Sequence, residues 1–468
     1  MAQAENKVRD LTKGEPAKLI FIMALPLLAG NIVSQLYGFV DALTVGRFLG
    51  VEAMAAIGCA GSLIFGVNSF IGGTAYGLTI KTSQLFGAKD FDGVRRSALV
   101  SILLAFTVAT IVAVTGVAAC REILIAMQTP AELLENATAF ITVTFATAVV
   151  LMMMNVQASL IRALGNTSIP TKVWSMTLLL NALFDVIAIV ILDCGVIGVA
   201  LATTVAQIIG CGMFYFYTKK QIPILHSAFS SDYFNFDKNF ILEHLKLGLP
   251  VGLQGAIIAV GGVILQVAIN QLGATEVAVV TAGQRIEGLT LMFFLTFAEV
   301  ISSFAAQNYG AERYERIIDG VKKCALITCA ASFVITAVNV FAGAELLKVF
   351  IGESNPQVIE QGAFYLMVSG AFYWVLSLML VFKLTLQGLG KNSAPTLSGT
   401  MELIARVAVA LFLVDELGFL GICLANPLSF IAACLPLIPA ILAERKRFME
   451  LTGDQPEEEI ELELNAAH

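Results

Sequence analysis

The sequence predicts an all-α integral membrane protein, with twelve transmembrane helices in two six-helix, pseudo-symmetric lobes. Three observations predict it. First, hydrophobic residues make up 57% of the 468 and charged residues only 13%, where a soluble domain carries about 25% charged residues. Second, the basic residues fall on one side. With the N-terminus inside, 23 of the 28 lysines and arginines lie in inside segments and only Arg47, Arg121 and Lys348 outside. That bias belongs to an even number of spans with both termini cytoplasmic. Third, the chain repeats itself. Gly50 recurs as Gly273, and SQLFGAKD at 83–90 recurs as AQNYGAER at 306–313, both at an offset of 223. Leu25-Pro26 recurs as Leu249-Pro250 at 224, and GNTSIPT at 165–171 as GKNSAPT at 390–396 at 225. Six spans per copy give both copies the same membrane orientation, related by an axis along the membrane normal, with a pathway between them.

Each apolar run of about 20 residues is a spanning helix. No alternating strand pattern competes, and backbone groups in lipid must be satisfied internally. Residues 1–17 are too polar and acidic for a signal peptide and form a cytoplasmic tail. The first lobe, 18–217, holds spans at 18–42, 54–80, 97–119, 136–159, 169–192 and 196–217. Residues 218–245 are the one long polar connection, a cytoplasmic linker. The second lobe, 246–443, holds spans at 246–270, 276–301, 321–343, 359–382, 396–414 and 418–442. The cytoplasmic tail, 444–468, contains EEEIELE, and it holds much of the acid excess behind the net charge of -7. That charge marks a solvated end rather than a partner, and no nucleic acid is expected. Eight cysteines and three histidines are scattered without Cys-x-x-Cys spacing. They read as isolated residues, not as a metal or disulfide framework. No GxxxxGK[ST] loop and no Ser-His-Asp or metal-hydrolase cluster occurs, so neither ATP nor an enzyme activity is expected.

Where the two copies differ in chemistry, something other than folding is at work. Asp41 lies nine residues before Gly50, and nine before Gly273 stands Ile264. Asp185 has its counterpart among Ala408, Val409 and Ala410. A carboxylate inside a span costs roughly 2.5–3.5 kcal/mol on insertion scales. By helix rise, Asp185 lies roughly 10 Å below the outer end of the fifth span, and Thr203 is about as deep in the sixth. Asn181 is one turn from Asp185 on the same face. With Asp41 in the first span, these carboxylate, amide and hydroxyl oxygens suit a hard cation such as Na+, or two acids sharing a proton. The alternatives are a wet, headgroup-level Asp41 and an Asp185 that only bonds Asn181 or a neighbouring helix.

The stretch LPLLAGNIVSQLYGFVDALTVGRFLG (25–50), followed by AMAAIG, resembles the first helix and loop of the MATE (multidrug and toxic compound extrusion) transporters. The resemblance continues through SQLFGAKD, RALGNTSIPT (162–171), AGQRIEGLTLMF (282–293) and AQNYGAER, and so covers nearly the whole chain. It implies a secondary active antiporter that exports amphipathic, often cationic, organic compounds in exchange for protons or sodium ions by alternating access. It implies a monomer in the plasma (inner) membrane, with no cofactor beyond the coupling ion. In the DinF-like branch an acid in the first helix, Asn and Asp in the fifth and Thr in the sixth form a cation site. Asp41, Asn181, Asp185 and Thr203 match that pattern, and Tyr37 matches a neighbouring aromatic. The NorM-like branch adds acids in the seventh and tenth helices; this chain departs there, with Gln254 in the seventh and no acid in FYLMVSGAFYWVLSLMLVF (364–382) of the tenth.

Gln35, Met154, Gln254, Arg285 and Glu287 are candidates to line the substrate cavity. For Arg285 and Glu287 a structural interhelical bond competes, and for the methionines a lipid-facing position. Pro26, matched by Pro250, is a candidate hinge, because proline removes a helical hydrogen bond. Glu402 and Arg406 read as a structural pair one turn apart. A lipid-linked oligosaccharide or lipid II flippase of similar fold is the alternative function. Its phosphate-bearing cargo favours a strongly cationic cavity, and only two arginines, Arg285 and Arg406, lie well inside helices.

Overall fold

A computed structural model of the chain describes residues 8–226, 237–351 and 356–453; the side chains of residues 35–43, 51, 274, 350 and 351 are not described. The acidic stretch 457–463 and part of the linker therefore lie outside the described residues. The first half runs through α1 (Pro16–Phe48), α2 (Gly50–Cys59), α3 (Gly61–Leu78), α4 (Ile80–Gly87), α5 (Phe91–Ala126), α6 (Ala131–Ala146), α7 (Ala148–Ala163), α8 (Ser168–Val186), α9 (Gly195–Gln221) and the short α10 (Pro223–His226). The second runs through α11 (Lys238–Leu272), α12 (Ala274–Gly310), α13 (Tyr314–Ile351), α14 (Pro356–Ala371), α15 (Tyr373–Gly388), α16 (Ser393–Ala408), α17 (Val414–Leu417) and α18 (Phe419–Thr452). Among the described residues there is no strand.

Among the described residues, ten helical segments are long and apolar enough to cross a membrane. Two bent pairs, α6 with α7 at 46° and α14 with α15 at 48°, bring the spans to twelve. Large apolar side chains stand outward where lipid would meet them: Phe341 is 88% exposed and Phe216 69%. The helices overrun the apolar runs at both ends. The third span, expected at 97–119, is α5 from Phe91 to Ala126, started by Asp90, whose carboxylate accepts the Gly93 N–H at 2.8 Å. Hydropathy stops where charges begin, whereas a capped helix continues into water. The expected fourth and tenth helices are each interrupted, at Thr147 and at Phe372.

The repeat is written into the backbone. Left-handed residues recur in pairs: Gly50 with Gly273, Lys89 with Glu312, Gly165 with Gly390 and Gly195 with Gly418. A π-helical turn follows α8 at Ile187–Ile191 and follows α16 at Val409–Leu413. At Gly165 the chain also passes so close to the Arg9 carbonyl that a Cβ would lie 2.2 Å from it. Arg9 N–H donates to the Leu164 carbonyl at that turn, at 3.0 Å.

By packing, the described chain falls into two units. One takes Arg9, Ile22–Phe86 and Asp90–Val263. Its core is built on Ile71, Leu78, Leu99, Met152, Met154 and Phe214, all essentially buried. Within it α3 and α11 meet through small residues: a Cβ on Gly77 would lie 2.6 Å from the Leu247 carbonyl, and one on Gly73 2.7 Å from that of Val251. The other unit takes Asp10–Phe21, Gly87–Lys89 and the chain from Ile264 onward. Its core centres on Phe294, Tyr373, Leu376 and Leu437. There the segment before α1 is held by side chains. Leu11 N–H donates to Gln307 Oε1 at 2.9 Å, and Asn308 and Arg316 donate to the Leu11 carbonyl. At the start of α1 the Lys18 N–H and then Lys323, 3.1 Å away, hold the Glu15 carboxyl below the usual carboxylate range. All eight cysteines are free.

Candidate functional site

In the first unit, α8 places Asn181 and Asp185 one turn apart, and both are buried, at 4% and 1% exposure. Asn181 Nδ2 donates to Asp185 Oδ2 at 3.0 Å. From α9, Thr203 Oγ1 donates to Asn181 Oδ1 at 3.4 Å and to the Val199 carbonyl at 3.1 Å. Three of the four residues expected to form a cation site are thus joined in one polar chain, Thr203 to Asn181 to Asp185. The π turn begins two residues after Asp185. Such turns are frequent at functional sites, but this one recurs after α16, where no acid matches Asp185, and so belongs to the repeat.

Beside this chain lies a cavity of about 380 Å³ within the same unit. Thr203 lines it, together with Asn68, Asn155, Gln207, Trp174 and Phe140. Thr203 therefore joins the buried Asn181–Asp185 pair to the cavity wall. Three amides, Asn68, Asn155 and Gln207, give the wall polar groups that pure packing does not require. None of the three stood out in the sequence. Amides carry no charge and are commoner than acids in these spans, so the three are set apart only by their place on the cavity wall.

The remaining expected residues are placed as follows. The side chains of Gln35, Tyr37 and Asp41 lie outside the described residues. Met154 is fully buried in the core, close against Gly210, and does not line this cavity. Its neighbours Leu151 and Asn155 do. Gln254 is buried in α11. In α12, Arg285 is exposed while Glu287 is buried, so the two face apart. Glu287 Oε2 accepts from Tyr365 Oη at 2.7 Å and from Asn426 Nδ2 at 3.0 Å. Glu402 and Arg406 form the expected pair at 2.8 Å, buried within the second unit. Lys383, counted from the sequence among the inside residues, lies in α15 and is only 5% exposed. Pro26 lies inside α1 and Pro250 inside α11. Among the described residues no three His, Cys, Asp or Glu side chains converge as a metal site would need.

Against known proteins, residues 26–187 and 250–412 both match the MatE family model. The chain is 24% identical over 369 residues to the probable multidrug resistance protein YpnP of Bacillus subtilis, covering 78% of this chain and 81% of that one. It is 22% identical to the probable multidrug resistance protein NorM of Thermotoga maritima, covering 87% and 88%. Among solved structures, an outward-facing multidrug resistance MATE family transporter superimposes with a TM-score of 0.83 over 95% of this chain and 98% of that one, at 23% identity. That last likeness speaks to the fold: twelve membrane helices.

Proposed function

The chain belongs to the MATE family of multidrug transporters, a multi-pass membrane protein and not an enzyme, and we propose that it is an ion-coupled efflux antiporter. It exports amphipathic, often cationic, organic compounds across the plasma membrane in exchange for protons or sodium ions, as a monomer with both termini in the cytoplasm. One observation carries this reading: the Thr203–Asn181–Asp185 chain, with Asn181 and Asp185 buried, beside a cavity whose largely apolar wall carries three amides. Asp41, Asn181, Asp185 and Thr203 form the coupling site, with Tyr37 beside it, and Pro26 is the hinge of α1.

The chemistry follows from burial. A carboxyl of Asp185 in a low-dielectric wall binds a proton or a monovalent cation well when sealed and releases it when wetted. The amide oxygen of Asn181 and the hydroxyl of Thr203 are hard oxygen donors suited to Na+. A ligand shifts a conformational equilibrium only by its differential affinity for the two states. One charge crossing a 100 mV potential supplies about 2.3 kcal/mol. Alternate binding of ion and compound then turns the ion gradient into export.

The test is flux of a fluorescent amphipathic cation into or out of proteoliposomes under an imposed proton or sodium gradient. The expected result is transport that follows one of the two gradients, and its loss in Asp185→Asn with elution and helical content unchanged. An Asp185→Asn protein that pumps at wild-type rate with the same ion requirement sinks the coupling site.

A further inference from the structure

Across the seventh and tenth spans, 246–270 and 359–382, the one acid is Glu360, exposed near the start of α14. The structure holds a carboxyl elsewhere. The offsets of the repeat say where. α6 and α14 start at Ala131 and Pro356, and both bent pairs break 16 residues later, at Thr147 and Phe372, so this span repeats at 225. The spans of α3 and α9 repeat in α12 and α18 at 223, as Gly50 with Gly273 and Gly195 with Gly418 require. On those offsets Ile64, Phe140 and Thr203 of the first half become Glu287, Tyr365 and Asn426 of the second. The first three line the cavity beside Asn181 and Asp185. The second three bond one another.

We propose that Glu287, with Tyr365 and Asn426, is a second proton-binding site, set in the second half where the first half has its cavity. The proposal rests on the antiport reading for its purpose, though not for its chemistry. Glu287 is 8% exposed. Its Oε2 accepts from Tyr365 Oη at 2.7 Å and Asn426 Nδ2 at 3.0 Å, and Asn426 Nδ2 also lies 3.5 Å from Tyr365 Oη. Oε1 is buried and has no partner. A buried charge with an idle oxygen is costly, and a proton on that oxygen removes the charge. A purely structural role would need no acid, since a glutamine oxygen could accept the same two bonds. A metal ion fits poorly: the groups at Oε2 present N–H and O–H donors, whereas hard cations gather several oxygens.

The titratable neighbours leave the carboxyl to itself. Tyr365 on α14 and Tyr373 on α15 face it with hydroxyl groups, and the thiol of Cys423 on α18 lies by Tyr365. Arg406 on α16 is the charge that reaches it, and Arg406 is paired with Glu402 at 2.8 Å. Lys383 on α15 interacts with that pair rather than with Glu287.

The test is an infrared titration of the purified full chain in nanodiscs, reading the C=O band of protonated carboxyls in H2O and D2O. The wild type should show a band that Glu287→Gln removes and Glu287→Asp restores. Tyr365→Phe, which keeps the ring and removes one donor, should shift that band and its titration midpoint. Proton uptake per protein over the same range should fall by one in Glu287→Gln. Spectra and uptake identical in wild type and Glu287→Gln overturn the site, as does a band that persists in Glu287→Gln and stays unmoved in Tyr365→Phe. The titration needs no transport. A protein that loses the band as expected but moves no compound under any gradient keeps the site and sinks the antiport reading instead.

Discussion

Asn181 is the joint of the first-unit site, since it bonds both Asp185 and Thr203. Asn181→Ala leaves the Asp185 carboxyl in place and removes its amide donor. A hydrogen bond to a charged group contributes about 1.5–3 kcal/mol, so half-saturation should move by about tenfold or more. For a proton it moves towards tighter binding, because the carboxylate loses a donor that favours its charged form. For Na+ it moves towards weaker binding, because an oxygen ligand is lost. Flux measured against ion concentration should show that shift in half-saturation with little change in maximal rate. Thr203→Ala, which loses a longer bond, should move it less. An unchanged half-saturation in Asn181→Ala would mean that the amide only packs. Asn181, Asp185 and Thr203 were legible in the sequence because polar groups in spans are few and helical spacing puts two of them on one face. Met154 was not. A helix apolar on most sides offers no periodicity by which to tell the core face from a cavity face, and the structure puts Met154 in the core.

Helices explain which breaks the sequence could not announce. Neither Thr147 nor Phe372 is a proline or a glycine, yet both interrupt a span, at bends of 46° and 48°. The local chemistry differs. Thr147 Oγ1 donates back to the Val143 carbonyl at 2.8 Å, a bond often found where helices bend. On the other side, Thr336 of α13 donates to the Gly370 carbonyl at 2.6 Å, from outside the helix. Two different residues reach nearly one angle, so packing in each unit sets the bend and the local bonds only satisfy the backbone. Small residues let spanning helices approach closely, and α3 against α11 is where they act. Gly77→Leu would press a side chain into the Leu247 and Gly248 backbone. Overpacking of this kind costs about 1–3 kcal/mol. Thermal unfolding in detergent should show a lowered midpoint for Gly77→Leu. Gly262→Ala, where nothing lies within 4 Å of the added Cβ, should unfold with the wild type. Equal midpoints for all three proteins would mean that the helices part freely.

For the whole molecule, the repeat and the charge bias carried most of what could be known in advance. The repeat was legible because its marks sit at helix ends, where left-handed backbone restricts the residue: Gly165 and Gly390 hold φ of 79° and 78°. Side-chain chemistry between those marks drifted freely, which is why Glu287, Tyr365 and Asn426 could arise opposite Ile64, Phe140 and Thr203 without disturbing the spans. Orientation rests on the basic residues alone, and it has a direct test in a native side chain. Cys194 sits in the turn between the π-helical end of α8 and the start of α9, and it is the one exposed cysteine of the eight. Cys120, Cys324, Cys423 and Cys434 are buried, and Cys59, Cys211 and Cys329 are half-buried within or at the ends of helices. If lysines and arginines hold their segments inside, the turn at Cys194 faces outward. A membrane-impermeant maleimide added to intact cells should then label the protein, and Cys194→Ser should remove most of the label. A cysteine added at either terminus should react only after the membrane is opened. Labelling of Cys194 only in opened cells would invert the topology, and with it the direction in which any gradient could drive export.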